Sequence, residues 1–224
     1  MKYKLHLKLQ LPFQGPMMDK IKAIVTTAQR MFSQNGYENT TVNDIAKEAG
    51  VAGGTIIYHF KNKENLLFIV AWNVLNSLYK KTASKLPTST NGMETVTAFV
   101  AAFFHFLREN QAAYRMLLRN TVFDTLDTRA FPNADLKMLH KRYRMLLEEA
   151  VSRGLKDGSI ADAVPEEVTA AIVSYLCGSA RLHEYFGHSL EILEKEAQRF
   201  TQARLSSSPI ARPHLEIPLS ANCM

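Results

Sequence analysis

The sequence predicts an all-α protein with two helical domains. After residue 17, apolar residues recur at intervals of three and four, which is the spacing of one helix face. Glycine, proline, threonine and asparagine stand between these segments, as they do at helix boundaries. No segment after residue 17 alternates in the manner of a strand. We therefore expect an N-terminal domain of three helices followed by a larger helical domain.

The first three helices are short, and each has a recognisable boundary. The first begins at Met18 and ends before Gly36. Thr41 provides an N-cap for the second helix, which stops at Gly50. The third spans about residues 53–59, and its end is set by the loop that leads into a long fourth helix.

Six more helices follow, separated by residues that break helices. They are predicted at about 63–86, 93–109, 112–119, 135–153, 165–186 and 189–204. A turn from Gly154 to Gly158 is expected to close the helix at 135–153. The sequence therefore predicts four parts: a flexible N-terminal extension (1–17), a three-helix domain (18–64), a larger helical domain (65–205) and a flexible tail (206–224).

The segment before Met17 differs from the rest, because apolar and basic residues alternate there and Pro12, Gly15 and Pro16 end it. It is interpreted as a flexible tail, or as an upstream extension with Met17 or Met18 as the natural start. A basic arm that lies along DNA is the alternative.

Composition and charge narrow the class of protein. Of the 224 residues, 46% are hydrophobic and 21% are charged, an ordinary globular mix that excludes wholesale disorder. Apolar runs fall short of the roughly 18 residues that span a bilayer, so no membrane partner is expected. Two cysteines cannot form a disulfide framework, which fits a reducing, cytoplasmic location. The net charge of +6 is compatible with a nucleic-acid partner without demonstrating one.

The most informative stretch runs from Thr40 to Lys63. Two short helices meet there at Ala49-Gly50-Val51. Small residues let the helix axes approach, and Gly50 permits a positive φ in the turn. This is the pattern of a helix-turn-helix, whose second helix enters the major groove of DNA.

This stretch resembles the DNA-binding domain of the TetR family of bacterial repressors. The residues that carry the resemblance are Gly36-Tyr37, Thr40-Thr41, Asp44-Ile45-Ala46, Ala49-Gly50-Val51, Gly54-Thr55, Tyr58-His59-Phe60-Lys61 and Lys63-Glu64. The resemblance covers residues 18–64, and the later helices agree with the family in number, length and order. It implies a homodimer that binds a double-stranded DNA operator and a helical second domain that binds a small-molecule effector.

The resemblance also implies which residues contact DNA: Thr41, Gly53, Gly54, Thr55, Tyr58, His59 and Lys63. Threonine hydroxyls and methyl groups suit base edges, whereas the aromatic tips and the lysine suit phosphates. Three departures from the family's usual residues are Ala52 for serine, Gly53 for lysine and Ile57 for tyrosine. We therefore expect weaker or more shape-dependent binding than is typical. Phe60 is expected in the core.

An effector pocket is expected among aromatic residues of the second domain: Trp72, Phe99, Phe103, Phe106, Phe123, Tyr143 and Tyr175. A ligand site is usually an apolar cavity with a few polar groups, although aromatic residues at helical spacing are also ordinary core. A second group of residues, on the helix predicted at 135–153, is basic: Lys137, His140, Lys141, Arg142 and Arg144. It is interpreted as a solvated helix face, with a site for an anionic head group, such as that of a fatty acyl-CoA, as the alternative.

The last two helices are expected to form the dimer interface, because small apolar residues line the first and an apolar stripe lines the second. Cys177 is expected to be a buried, inert thiol. His183 and His188 are five residues apart, whereas a helical zinc-protease motif needs four. We expect no metal site, no cofactor and no catalytic residues.

These observations predict a transcriptional repressor that a small apolar or amphipathic effector releases from a palindromic operator. Effector binding would shift the fourth helix, which begins near Lys63, and change the spacing of the two recognition helices from about 34 Å. Two alternatives remain: a DNA-binding factor without an effector, such as an activator or nucleoid-type protein, and, more remotely, an enzyme on a helical scaffold.

Overall fold

The computed structural model describes residues 18–119 and 134–206, and every regular element in those ranges is an α-helix. The helices are α1 (Met18–Asn35), α2 (Val42–Glu48), α3 (Gly53–Phe60), α4 (Lys63–Lys85), α5 (Gly92–Glu109), α6 (Gln111–Arg119), α7 (Leu136–Asp157), α8 (Pro165–Phe186) and α9 (Leu190–Ser206). The predicted all-α fold class is confirmed. The predicted extension at 1–17, nearly all of the tail and Phe123 lie outside the described residues.

Helices α1, α2 and α3 pack around a small apolar core at the N-terminal end. Ile24 of α1, Ile45 of α2 and both Ile56 and Phe60 of α3 are fully buried there. The expected core position of Phe60 is therefore confirmed. Helix α1 also packs against α4 and α6, which connects the three-helix unit to the rest of the molecule.

Helix α5 lies at the centre of the larger helical unit, against α4, α7 and α9. Its apolar face is continuous, and Phe99, Phe103 and Phe106 are all buried. Helix α4 begins at Lys63, so the predicted domain boundary at 64–65 falls in its first turn. A single helix thus runs from the three-helix unit into the larger one.

The predicted end of the seventh helix is wrong. Helix α7 continues through Gly154 to Asp157, and Gly158 ends it with a φ of 76°. Gly154 is needed inside the helix for packing, since a Cβ atom there would lie 2.4 Å from the Ile160 side chain. The glycine that suggests a turn in the sequence is instead a site of close approach.

None of the helices in the described ranges is long and apolar enough to span a bilayer.

Candidate functional site

Helix α2 begins with a complete capping box. The Thr41 hydroxyl accepts a hydrogen bond from the Asp44 backbone N–H at 3.1 Å and donates one to Asp44 Oδ2 at 2.6 Å. The Thr41 backbone N–H donates to the same carboxylate at 3.2 Å. These hydrogen bonds to Thr41 lower the pKa of Asp44. Both donors of Thr41, a predicted DNA contact, are therefore engaged within the protein.

The turn between α2 and α3 has the geometry expected of a helix-turn-helix. Gly50 has a φ of 67°, and the Val51 N–H donates to the Ala46 carbonyl at 3.0 Å. Ala52 is the N-cap of α3 and offers no side-chain hydrogen bond. An ion pair of 2.6 Å between Arg30 and Glu48 fixes α1 against α2.

Helix α3 has one buried face and one outward face. Ile56 and Phe60 are buried, whereas Ile57 is 48% and Tyr58 is 73% exposed. Gly54 lies on the outward face one turn before them, and a Cβ atom there would meet nothing within 4 Å. Tyr58 and Gly54 are thus accessible, as a DNA-reading face requires.

The other predicted contacts on α3 flank this face. Thr55 and His59 are half-buried, and so is Gly53, whose Cβ atom would lie 3.2 Å from Asn43 Oδ1. The sequence pattern did not single out Ile57 as a contact, because isoleucine offers no hydrogen bond. The signal that could have identified Ile57 is its position three residues after Gly54, because residues three apart lie on the same face of a helix.

Two lysines follow α3, and both have aromatic neighbours. Lys61 Nζ donates to the Tyr58 carbonyl at 3.1 Å. Lys63 Nζ lies 4.1 Å from the centre of the Tyr37 ring, which is a cation–π distance. Burial and the nearby Glu64 carboxylate raise the pKa of Tyr37 to about 12. The Lys63 ammonium is therefore held at the N-terminal end of α4.

Most of the predicted pocket residues lie in the core of the larger unit, where Trp72, Phe99, Phe103, Phe106 and Tyr143 are buried. The ring centres of Phe99 and Tyr143 are 4.8 Å apart. Tyr175 instead lies near the surface of α8, where it stacks on Phe200 at 5.1 Å. Tyr175 is therefore half-buried at the edge of this core, whereas the other described pocket residues lie within it.

Polar groups interrupt this core. The buried hydroxyls of Tyr143 and Thr82 are near neighbours, but within the described residues neither completes a hydrogen bond. Tyr114 is buried beside Phe103, with ring centres 6.1 Å apart. Burial raises the pKa of both tyrosines well above the ordinary value. The sequence analysis did not predict Thr82 or Tyr114 here: Thr82 is not aromatic, whereas Tyr114 on α6 has the same aromatic signal as the predicted residues. We call Thr82, Phe99, Phe103, Tyr114 and Tyr143 the polar core cluster.

The outer face of α8 and α9 is apolar and uncovered in the single chain. Its exposed large side chains are Leu182, Tyr185, Phe186, Ile192 and Phe200. Cys177 is exposed as well. The expectation that Cys177 is buried is therefore wrong.

The basic set on α7 is largely solvated. Lys137, His140 and Lys141 are exposed, and Arg144 forms an ion pair with Glu148 at 3.2 Å. A surface cleft of about 400 Å³ lies beside them, lined in part by Glu148 and Glu166. These carboxylates disfavour an anionic head group at this cleft.

The His183 side chain contacts the backbone just after the end of α8. His183 Nδ1 lies 2.7 Å from the His188 carbonyl oxygen. Gly187 ends the helix with a φ of 71°. Across residues 18–119 and 134–206, no three His, Cys, Asp or Glu side chains are grouped so that they could hold a metal ion.

Comparison with known proteins agrees with the helix-turn-helix geometry. The family described as "Bacterial regulatory proteins, tetR family" matches residues 24–69. The HTH-type transcriptional regulator YhgD of Bacillus subtilis is 29% identical over 152 residues, covering 66% of this chain and 76% of that protein. The HTH-type transcriptional repressor KstR2 of Mycolicibacterium smegmatis is 28% identical over 136 residues, covering 61% of this chain and 65% of that protein.

The overall fold also matches solved structures. The transcriptional regulator FadR of Bacillus subtilis, solved in complex with stearoyl-CoA, superposes with a TM-score of 0.65 at 20% identity. The match covers 81% of this chain and 97% of that one. Its helix-turn-helix has an outward second helix, the family model matches residues 24–69, and the relatives are transcriptional regulators, so this chain carries a DNA-binding domain of the TetR family of bacterial regulatory proteins.

Proposed function

We propose that this regulator is a repressor that binds a palindromic operator as a homodimer and is released by a small apolar or amphipathic effector. The observation that carries the DNA-binding part is the outward face of α3. Its opposite face is anchored by Ile56 and Phe60, whereas Tyr58 is free to contact a duplex. Helix α3 contains no acidic residue, so no carboxylate on it repels the phosphates.

The dimer is proposed to form through the outer face of α8 and α9. Exposed apolar residues on two adjacent helices indicate a surface that another protein covers. A second copy with the same face would form a four-helix bundle and present two α3 helices. Two linked recognition helices bind a palindrome far more tightly than one.

The polar core cluster is the proposed effector site. Phe99 and Phe103 offer apolar surface, and the hydroxyls of Thr82 and Tyr143 are buried without completed hydrogen bonds. Unpaired buried polar groups are costly, so a ligand that pairs with them recovers that cost. A largely apolar molecule with one or two hydrogen-bonding groups fits this chemistry.

Release is proposed to pass through α4 and α6. Helix α4 carries Thr82 of the cluster and, at its other end, Lys63. Helix α6 packs on α1 and is held to α8 by ion pairs of 2.8 Å from both Arg115 and Arg119 to Glu184. An effector that favours a shifted arrangement of these helices would move the two α3 helices out of register with the grooves. It acts only as far as it binds that arrangement more tightly.

Selection from a pool of random duplexes tests the DNA-binding part. The purified full chain should enrich a palindrome with half-sites one helical turn, about 34 Å, or a multiple of it apart. Tyr58→Ala should enrich it poorly, because the exposed ring is lost. Enrichment of no sequence over the starting pool would contradict the proposal.

Displacement of that selected duplex tests the effector part. Stearoyl-CoA, present in the structure of the Bacillus subtilis neighbour, is the first probe, followed by other apolar and amphipathic compounds. The expected result is release of the duplex together with a rise in the melting temperature of the protein. Persistent binding in the presence of every probe would favour a DNA-binding factor without an effector.

A further inference from the structure

Ile57 is an aliphatic side chain in a place where folding does not need it. Among residues 18–119, the large apolar side chains that are exposed are Ile57 and Tyr58, which are consecutive on α3. The neighbouring Ile56 already anchors the helix in the core. Within residues 18–119, the exposure of two adjacent large apolar side chains on α3 alone indicates a surface that another molecule covers.

The surroundings of Ile57 indicate close approach to that molecule. Gly54 lies one turn before it on the same face, and the space beside Gly54 is empty to 4 Å. Without a side chain at Gly54, the backbone of α3 can come near the floor of a groove. A short side chain one turn further along, at Ile57, then reaches the base edges.

The chemistry of Ile57 limits what it can recognise. Its side chain has no hydrogen-bond donor or acceptor, so it cannot pair with a phosphate or with the polar edge of a base. Within the major groove, the apolar group that base pairs present is the 5-methyl group of thymine. Lys61 and Lys63 follow at the end of α3, and their positive charges suit the flanking phosphates.

We propose that Ile57 is a specificity-determining residue that reads one thymine in each half-site by packing against its 5-methyl group. This inference rests on the proposed function, because it requires α3 to enter the major groove. It adds a named base and a named atom group to that function. It also explains how a residue without hydrogen-bonding groups serves on a recognition helix.

Replacement of thymine by deoxyuridine tests the contact, since it removes only the methyl group. The full chain first selects its site from a random duplex pool, and each thymine of that site is then replaced in both half-sites in turn. At one position, wild-type affinity should fall about fourfold per half-site, the effect of one buried methyl group. The same replacement should leave the affinity of Ile57→Ala unchanged.

Two further variants identify the residue that is responsible. Ile57→Val keeps a branched side chain and should retain part of the sensitivity, whereas Tyr58→Ala should keep the sensitivity while binding all duplexes more weakly. Equal melting temperatures of wild type and Ile57→Ala check that the exposed substitution leaves the fold intact.

The outcomes that overturn the inference are distinct from failure of the proposed function. If no deoxyuridine replacement weakens wild type, or if Ile57→Ala keeps the full penalty, Ile57 does not read a thymine although the chain still binds its site. A chain that enriches no duplex at all overturns the proposed function and this inference together.

Discussion

Lys61 holds the backbone in a strained conformation where the chain reverses between α3 and α4. It has a φ of 69° and a ψ of −47°, the single positive φ outside glycine in the described residues. Such a conformation costs on the order of 1–3 kcal/mol in a residue with a Cβ atom. The reversal allows α4 to begin at Lys63, only three residues after the buried Phe60 ends α3.

Lys61→Gly should raise the free energy of unfolding by about 1 kcal/mol, because glycine adopts a positive φ without steric cost. Denaturant unfolding at matched protein concentration measures the change. Lys61→Ala is the matched control and should not stabilise, since alanine keeps the Cβ atom. Equal stabilisation by both variants would show that the lysine side chain, and not the backbone, is the source.

Lys63 and Thr55 are expected to serve DNA binding in different ways. Lys63→Ala should weaken binding to all duplexes alike and flatten the salt dependence by about one unit per subunit, because one phosphate contact is lost. Thr55→Ala should instead change which sequences are preferred. Titrations of several duplexes at a series of salt concentrations distinguish the two. The assigned roles are wrong if both variants have the same effect on every duplex.

Tyr143→Phe removes one buried hydroxyl from the polar core cluster. Because that hydroxyl completes no hydrogen bond within the described residues, its loss should be neutral or stabilising by about 1 kcal/mol. The affinity for a bound effector should fall by about tenfold, equivalent to one lost hydrogen bond. Thermal unfolding with and without the effector measures both quantities. A variant that binds the effector as tightly as wild type would exclude Tyr143 from the site.

At the residue scale, the sequence predicts positions better than roles. Tyr58 and Gly54 are on the outward face as expected, because a helical period is enough to assign faces. The predicted N-cap role of Thr41 is confirmed by its hydrogen bonds with Asp44, whereas the sequence did not predict that these bonds engage both of its donors. The location of Tyr175 depends on how α8 turns relative to α5, and a periodic pattern does not specify that rotation.

At the element scale, α5 and α7 approach each other closely because a glycine stands at their contact. A Cβ atom on Gly92 would lie 2.1 Å from the Gly154 backbone nitrogen. The Asp157 carboxylate at the end of α7 accepts a hydrogen bond from the Gly92 N–H at 2.8 Å. The start of α5 is therefore fixed by the end of α7.

Gly92→Ala should destabilise the protein by about 3 kcal/mol, because the clash involves backbone atoms that cannot rotate away. Gly54→Ala is the contrasting variant: its Cβ atom meets open space and should stabilise α3 by about 0.5–1 kcal/mol. Gly54→Ala should nevertheless weaken DNA binding, since it blocks close approach. Unfolding and duplex titrations of both variants measure these effects, and a stable Gly92→Ala protein would contradict the packing described.

Helix boundaries were predictable where the cause is local. Asn62 caps α4 and Pro165 opens α8 as their residue types indicate. The end of α7 was not, because Gly154 is required by the Ile160 side chain that packs against it, and not by the end of the helix. A glycine that ends a helix and a glycine that makes room for a neighbouring side chain have the same appearance in a sequence.

At the scale of the whole molecule, α4 is the element that joins the two proposed sites. It extends from Lys63, beside the DNA-reading helix, to the polar core cluster at Thr82. The fold class and the helix-turn-helix were predictable, since both follow from periodicity and turn residues. An effector site was not, because the aromatic residues that line a pocket have the same spacing as those that fill a core.

Phe200→Glu should weaken the proposed dimer, because a charge on the outer face of α9 would be buried in the interface without a partner. Sedimentation at several protein concentrations should show the variant shifted toward monomer by at least tenfold in dissociation constant. Met138→Glu, at another exposed apolar position on α7, is the control and should leave association unchanged. If Phe200→Glu associates as wild type does, another surface forms the dimer.

The central claim is that α3 enters a duplex twice in each assembly. Its most direct test is the stoichiometry and affinity of the complex between the full chain and its selected palindromic duplex, measured by sedimentation for wild type and Tyr58→Ala. We expect two chains per duplex for wild type and a markedly weaker complex for Tyr58→Ala. One chain per duplex, or a Tyr58→Ala protein that binds as wild type does, would contradict the claim.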